Sequence, residues 1–121
     1  MIVEAMMLFQ ASATLSGPIE AGWKGEKVCD VLHEDEEMRA LRCAFPPGVG
    51  HERHYHPRHW GYIFEGGTMR ITDKDGTREI ETPSNTTWSS DGVEWHEVLN
   101  IGDTTTVYII VEPKKHGEEI K

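Results

Sequence analysis

Cysteine is nearly absent from this chain: Cys29 and Cys43 are the two in 121 residues, and they are not in CxxC spacing. They read as two ordinary small apolar residues, and nothing in them demands an oxidising compartment. Basic charge is also short, with 12 Lys and Arg against 21 Asp and Glu and a net charge of -9. This excludes nucleic acid and anionic membrane as expected partners, since both reward Lys/Arg patches. Long apolar runs are missing, because none approaches the ~20 residues of a membrane span. The opening "MIVEAMMLFQASATLSG" lacks the positive start of a secretory signal, as Glu4 is acidic and Lys24 is the first lysine. It is expected to belong to an N-terminal segment, residues 1–26, that packs on the domain or on a partner subunit. The expected compartment is the cytoplasm.

What is present is one domain's worth of chain. A chain this size hides roughly two-thirds of its unfolded surface, enough for a core without disulfide staples. Helix signals fade after about residue 20, and short alternating runs punctuated by Gly, Pro and Asp take over, the pattern of an all-β domain. Strands are expected at 27–33, 38–45, 59–65, 68–73, 77–81, 86–88, 94–100 and 104–112. Leu41, Cys43 and Phe45 share one face of the second run, while Trp60, Tyr62 and Phe64 line the face opposite His59, Gly61 and Ile63. Between "TMRITD" and "TREIE" the "KDG" turn offers Gly76 a positive φ. The acidic runs 33–37 and 116–121 read as solvated turn and tail, with His33 and His116 on the surface. Eight or so strands about ten residues apart suggest a sandwich, jelly roll or small barrel.

Seven histidines occur in the chain, and "HERHYHPRH" (51–59) holds four of them. In an extended strand, residues i and i+2 project from one face about 7 Å apart. His54 and His56 meet that condition, so both rings can tilt onto one ion with bonds of ~2.0–2.1 Å. An isolated HxH pair also describes two exposed strand residues. Here the pair follows a Pro-Gly turn and precedes an apolar strand, and His96 stands in a later apolar strand as a third, remote ligand. His96 and Val98 lie on one side of that strand, Glu97 and Leu99 on the other.

These residues resemble a known family. "GVGHERHYHPRHWGYIFEGG" is similar to the first cupin motif, G-x5-H-x-H-x3,4-E-x6-G, with Gly48, His54, His56 and Gly66 in place. "DGVEWHEVLNIGD" is similar to the second, with His96 and Asn100 as its H-x3-N. The resemblance spans about Val28 to Glu112. It implies a double-stranded β-helix, the cupin jelly-roll barrel, as a single domain over 27–113 with a C-terminal tail at 114–121. It also implies one divalent metal ion in the barrel mouth and a homodimer paired through its sheets. Two departures stand out. The motif's glutamate is missing, and counting back from Gly66 its place falls on His59, which is therefore expected as a fourth ligand beside His54, His56 and His96. Three residues rather than two separate Gly92 from His96, so the turn before His96 must be rebuilt. His51 falls outside the motif and is expected at the rim.

An all-histidine shell carries one negative charge less than a shell with glutamate and suits a transition metal, Fe first, with Zn, Ni, Cu or Mn as alternatives. The expected function is a metal-binding cupin, a non-haem iron dioxygenase acting on a small oxygen-chelating molecule such as a diketone or hydroxy acid. The alternatives are a non-catalytic small-ligand-binding cupin and a metal-dependent isomerase or lyase, for which an inward carboxylate would be the sign. A third alternative is a jelly roll whose histidines acquire nickel only during purification. Cys43 and Met69 are expected to shape the pocket, and no acid/base group is assigned.

Overall fold

The computed structural model describes residues 15–114. Residues 1–14 of the expected N-terminal segment, and the tail 115–121 with His116, lie outside the described residues. The strands are β1 (Gly22–Trp23), β2 (Glu26–Lys27), β3 (Cys29–Glu34), β4 (Met38–Phe45), β5 (Gly50–His56), β6 (His59–Glu65), β7 (Gly67–Asp73), β8 (Gly76–Thr82), β9 (Thr86–Ser90), β10 (Val93–Asn100) and β11 (Thr106–Pro113). β4 and β6 keep their expected bounds. The expected run at 27–33 begins later, because Lys27 pairs in the small β1–β2 ribbon. At the "KDG" turn Asp73 faces Gly76 across the β7–β8 pair, and Gly76 takes φ +123°.

Two larger antiparallel sheets carry the fold, one of order β5-β10-β7-β8 and one of order β3-β4-β11-β6-β9. Alternation puts Leu41, Cys43, Phe45 and Ile110 of the second sheet inside, against Met69 and Val98 of the first. Leu41, Phe45 and Met69 are fully buried, and each such side chain favours the folded state by about 1.5–3 kcal/mol. The result is the expected all-β jelly roll. Asn100 closes one end: its side-chain N–H groups donate to the carbonyls of Phe45 and Thr104, and its Oδ1 accepts from the Gly102 N–H. β5 is an edge strand, and part of that edge is covered because the Tyr55 N–H donates to the Ser16 carbonyl. Covering a free edge satisfies its backbone and blocks strand addition by another chain.

The cysteines need a correction. Cys29 and Cys43 are register partners across β3 and β4 and form a disulfide. Beside the turn Glu34 pairs with Arg39 and His33 with Ala40, a register that would set Cys29 against Ala44; one extra β3 residue between Val31 and His33 shifts it so that Cys29 faces Cys43. The acidic turn itself is as expected: His33 is exposed and bonds the Asp35 carboxylate at 2.7 Å.

Candidate metal centre

β5 and β10 build the site. Their register pairs His56 with Val93, His54 with His96 and His51 with Val98. Between the first two pairs β10 has one residue more than β5, and between the next two β5 has one residue more than β10. The extra residue that the sequence places between Gly92 and His96 is thus absorbed as a bulge in β10, and His96 ends directly across from His54. Bulges re-aim side chains in this way, and they concentrate beside functional sites. The compensating bulge at Glu52–Arg53 breaks the alternation of β5. Glu52 and Arg53 are both exposed, and His51 turns inward together with His54 and His56.

One ring nitrogen from each of His54, His56 and His96 lies within 4.8 Å of the others. The His54 Nδ1–H donates to the Glu52 carbonyl at 2.6 Å. A carbonyl can only accept, so the His54 Nε2 keeps its lone pair for a ligand. That atom lies 3.0 Å from the His56 Nε2, the separation of two ligand atoms bound at about 2.1 Å and a right angle on one ion. The His56 Nδ1 is buried without a hydrogen-bond partner. Convergent ring nitrogens, a His54 tautomer fixed by a backbone carbonyl and a donor set of imidazoles together fit a divalent transition metal.

Electrostatics favour neutral rings. Burial pushes the His96 ring down to about 3, helped by the charge that His54 and His59 would carry. Burial also lowers His54, and it lowers His56 strongly, where the neighbouring rings add to the effect. Metal binding needs unprotonated imidazole, and this pocket withholds the competing proton.

His59 does not turn a lone pair to the trio. Its Nδ1–H donates to the Pro57 carbonyl at 2.8 Å, and its Nε2 accepts the Trp88 indole N–H at 3.1 Å. Its ring centre is 4.9 Å from that of His56, so it abuts the site with both nitrogens engaged. Trp88 was not singled out in the sequence. It fits because Gly61 faces it across β6 and β9, and a Cβ on Gly61 would lie 2.3 Å from the indole. His51 is not at an open rim. It is buried, stacks on His54 with ring centres 3.6 Å apart, and its Nε2–H donates to the Pro18 carbonyl at 3.0 Å. Burial pushes its ring down to about 3, and a charge on His54 would add to that.

His56, His59 and His96 open on a cavity of about 370 Å³ whose walls include Ile63, Ile71, Ile80, Trp88, Tyr108 and Ile110. That is the size of a small organic ligand. Cys43 lines it as expected, whereas Met69 is sealed in the core. Burial raises the Tyr108 hydroxyl to about 12, so it stays a donor. Among the described residues no helix is long and apolar enough to cross a membrane.

No protein-family model matches the sequence, and no curated protein shows significant similarity to it. Solved structures do. A cupin domain from Bordetella pertussis Tohama I shares 20% identity over 83% of this chain and 96% of its own, with a TM-score of 0.68. A cupin superfamily protein from Desulfitobacterium hafniense DCB-2 shares 13% over 70% of this chain and 74% of its own, at a TM-score of 0.55. The polyketide cyclase RemF from Streptomyces resistomycificus shares 19% over 83% of this chain and 70% of its own, at 0.60. At these identities the likeness is one of fold, and this chain has the fold of the cupin superfamily.

Proposed function

We propose that the chain holds one divalent transition-metal ion through His54, His56 and His96 and presents it to a small oxygen-chelating molecule in the adjoining cavity. The observation that carries this reading is the convergence of three neutral imidazoles, two buried and His96 partly buried, on one point. A bound ion would supply Lewis acidity toward a chelating oxygen and, as iron, reactivity with O2. The protein's own part is positional. The Glu52 carbonyl holds the His54 tautomer, the Trp88 indole and the Pro57 carbonyl hold His59 beside the site, and His51 backs His54. His59 is left out of the ligand set because both of its nitrogens are engaged. With three histidines as ligands, positions on the ion remain for substrate, which favours an iron dioxygenase over a purely structural site.

The sign of a metal-dependent isomerase or lyase, an inward carboxylate, is not met by Glu81, which stands on the exposed side of β8 where its Oε2 accepts the Thr68 hydroxyl proton at 2.8 Å. The deciding experiment is metal analysis of untagged protein grown without added nickel, followed by O2 uptake with diketones and hydroxy acids. About one iron per chain with substrate-dependent O2 uptake supports the dioxygenase. Stoichiometric metal without O2 uptake on the whole panel sinks it, and substoichiometric metal sinks the metal site altogether.

A second copy of the chain is the proposed partner. On the outer face of one sheet Trp60 and Tyr62 stand in register with Val111 and Ile109, and Val111 with Ala40. Trp60 and nearby Phe64 are 44% and 52% exposed, an apolar surface of the kind that pairing covers. Light scattering of the wild type and of Trp60→Glu tests it: a dimer that falls to monomer is expected, and a wild-type monomer refutes it.

A further inference from the structure

The cavity that adjoins the three histidines carries one cation in its wall, Arg78. Along β8 the inward positions are set by the pairs Ile71–Arg78, Met69–Ile80 and Gly67–Thr82. Since Met69 is sealed in the core and Ile71 packs against it, Arg78 starts from the inner face. Its Nη1 reaches Asp73 Oδ2 at 3.0 Å, and Asp73 is the residue directly across from His96 in the β7–β10 pair. The guanidinium is therefore held on the His96 side of the cavity by a carboxylate one strand away. Asp73 is itself fixed, because its Oδ1 accepts the Asp75 N–H. Among the described residues the Nε and Nη2 of Arg78 have no protein partner, and the side chain is 53% exposed, so part of a planar donor fork is open to a ligand at the mouth of the cavity. The remaining walls are mostly apolar and aromatic, with Tyr108 among them.

We propose that Arg78 determines specificity by anchoring a carboxylate, so that the cavity takes a small organic acid with an apolar or aromatic body rather than a neutral diketone. This rests on the reading of the site as a place where a small molecule meets a metal, and it narrows the substrate class. The chain has a net charge of -9, so an anion is disfavoured near most of its surface and needs a dedicated cation to enter. Arginine suits that task because its fork matches a carboxylate, and a charge-assisted hydrogen bond is roughly twice as strong as a neutral one. Asp73 does not cancel it: one of its oxygens takes one guanidinium nitrogen, and the fork keeps further N–H groups. In a 2-hydroxy or 2-oxo acid, the oxygen beside the carboxylate would be the one turned toward the histidines.

The test uses full-length protein, both chelator-treated and loaded with Zn2+, with 3-phenylpropionate and its neutral amide as probes followed by NMR titration. The acid is expected to bind at least tenfold more tightly than the amide, in both metal states. Arg78→Gln should abolish that preference, Arg78→Lys should keep part of it, and Zn2+ affinity should be unchanged in both variants. Equal binding of acid and amide overturns the proposal, as does no binding of the acid or a preference that survives Arg78→Gln. Failure of Zn2+ to bind the wild type counts against the metal site instead, and the metal-free titration still decides the role of Arg78.

Discussion

Acid should weaken the metal-free protein well before its carboxylates titrate. His51 and His96 are pushed from 6.5 to about 3, mainly by burial. In the unfolded chain both rings take up protons near 6.5, while in the folded chain they stay neutral. Their neutral burial therefore costs nothing at pH 7.5, and it costs progressively more as pH falls from about 6.5 toward 3. At pH 5.0 each ring shifts the balance toward the unfolded state by about 2 kcal/mol, from 1.5 pH units at about 1.4 kcal/mol each. The pair thus contributes about 4 kcal/mol, against a typical domain stability of about 5–15 kcal/mol. His54 and His56 are lowered as well and act in the same direction. The assay is urea unfolding with chelator present at pH 7.5, 6.0 and 5.0. A slope corresponding to two or more protons taken up on unfolding is expected below pH 6. His51→Gln should reduce that slope by about one proton. Stabilities that agree within about 1 kcal/mol at pH 7.5 and 5.0 would refute the claim that these rings are buried neutral.

Zinc affinity should separate the histidines: His96→Ala is expected to lose well over a hundredfold, whereas His59→Gln should lose no more than the about 10–100-fold typical of residues that only orient the ligands. A loss at His59 as large as that at His96 would return it to the ligand set. The Cys29–Cys43 bridge closes a loop of sequence separation 14, so Cys29→Ser with Cys43→Ser should lower stability by about 3 kcal/mol on the loop-entropy account. Alkylation of freshly lysed cells then checks the compartment, because a cytoplasmic chain would carry the pair reduced and a bridged pair points to an oxidising one. Gly61→Ala should displace the Trp88 indole, changing tryptophan fluorescence and costing about 1–3 kcal/mol as overpacking; an unchanged spectrum and midpoint would show that the indole has room to move.

Period-two alternation was enough to place most strands and the inward set Leu41, Cys43 and Phe45, because a half-buried strand writes its faces directly into residue order. The pair His54 and His56 was legible for the same reason, and His96 because it is the histidine of a later apolar strand. What tertiary structure decided lies where that alternation breaks or where partners come from other strands. Strict parity separates His51 from His54, and only the bulge at Glu52–Arg53 brings both inside. Spacing from Gly66 made His59 a ligand, but the Trp88 indole, 29 positions away in sequence, takes its free nitrogen. Arg78 reads as one more charge in an exposed hairpin until β7 and β10 set Asp73 across from His96. Residue order determined which side chains face inward wherever the alternation is unbroken; register between strands and its bulges, which no local pattern records, determined the rest and what the inward side chains meet there.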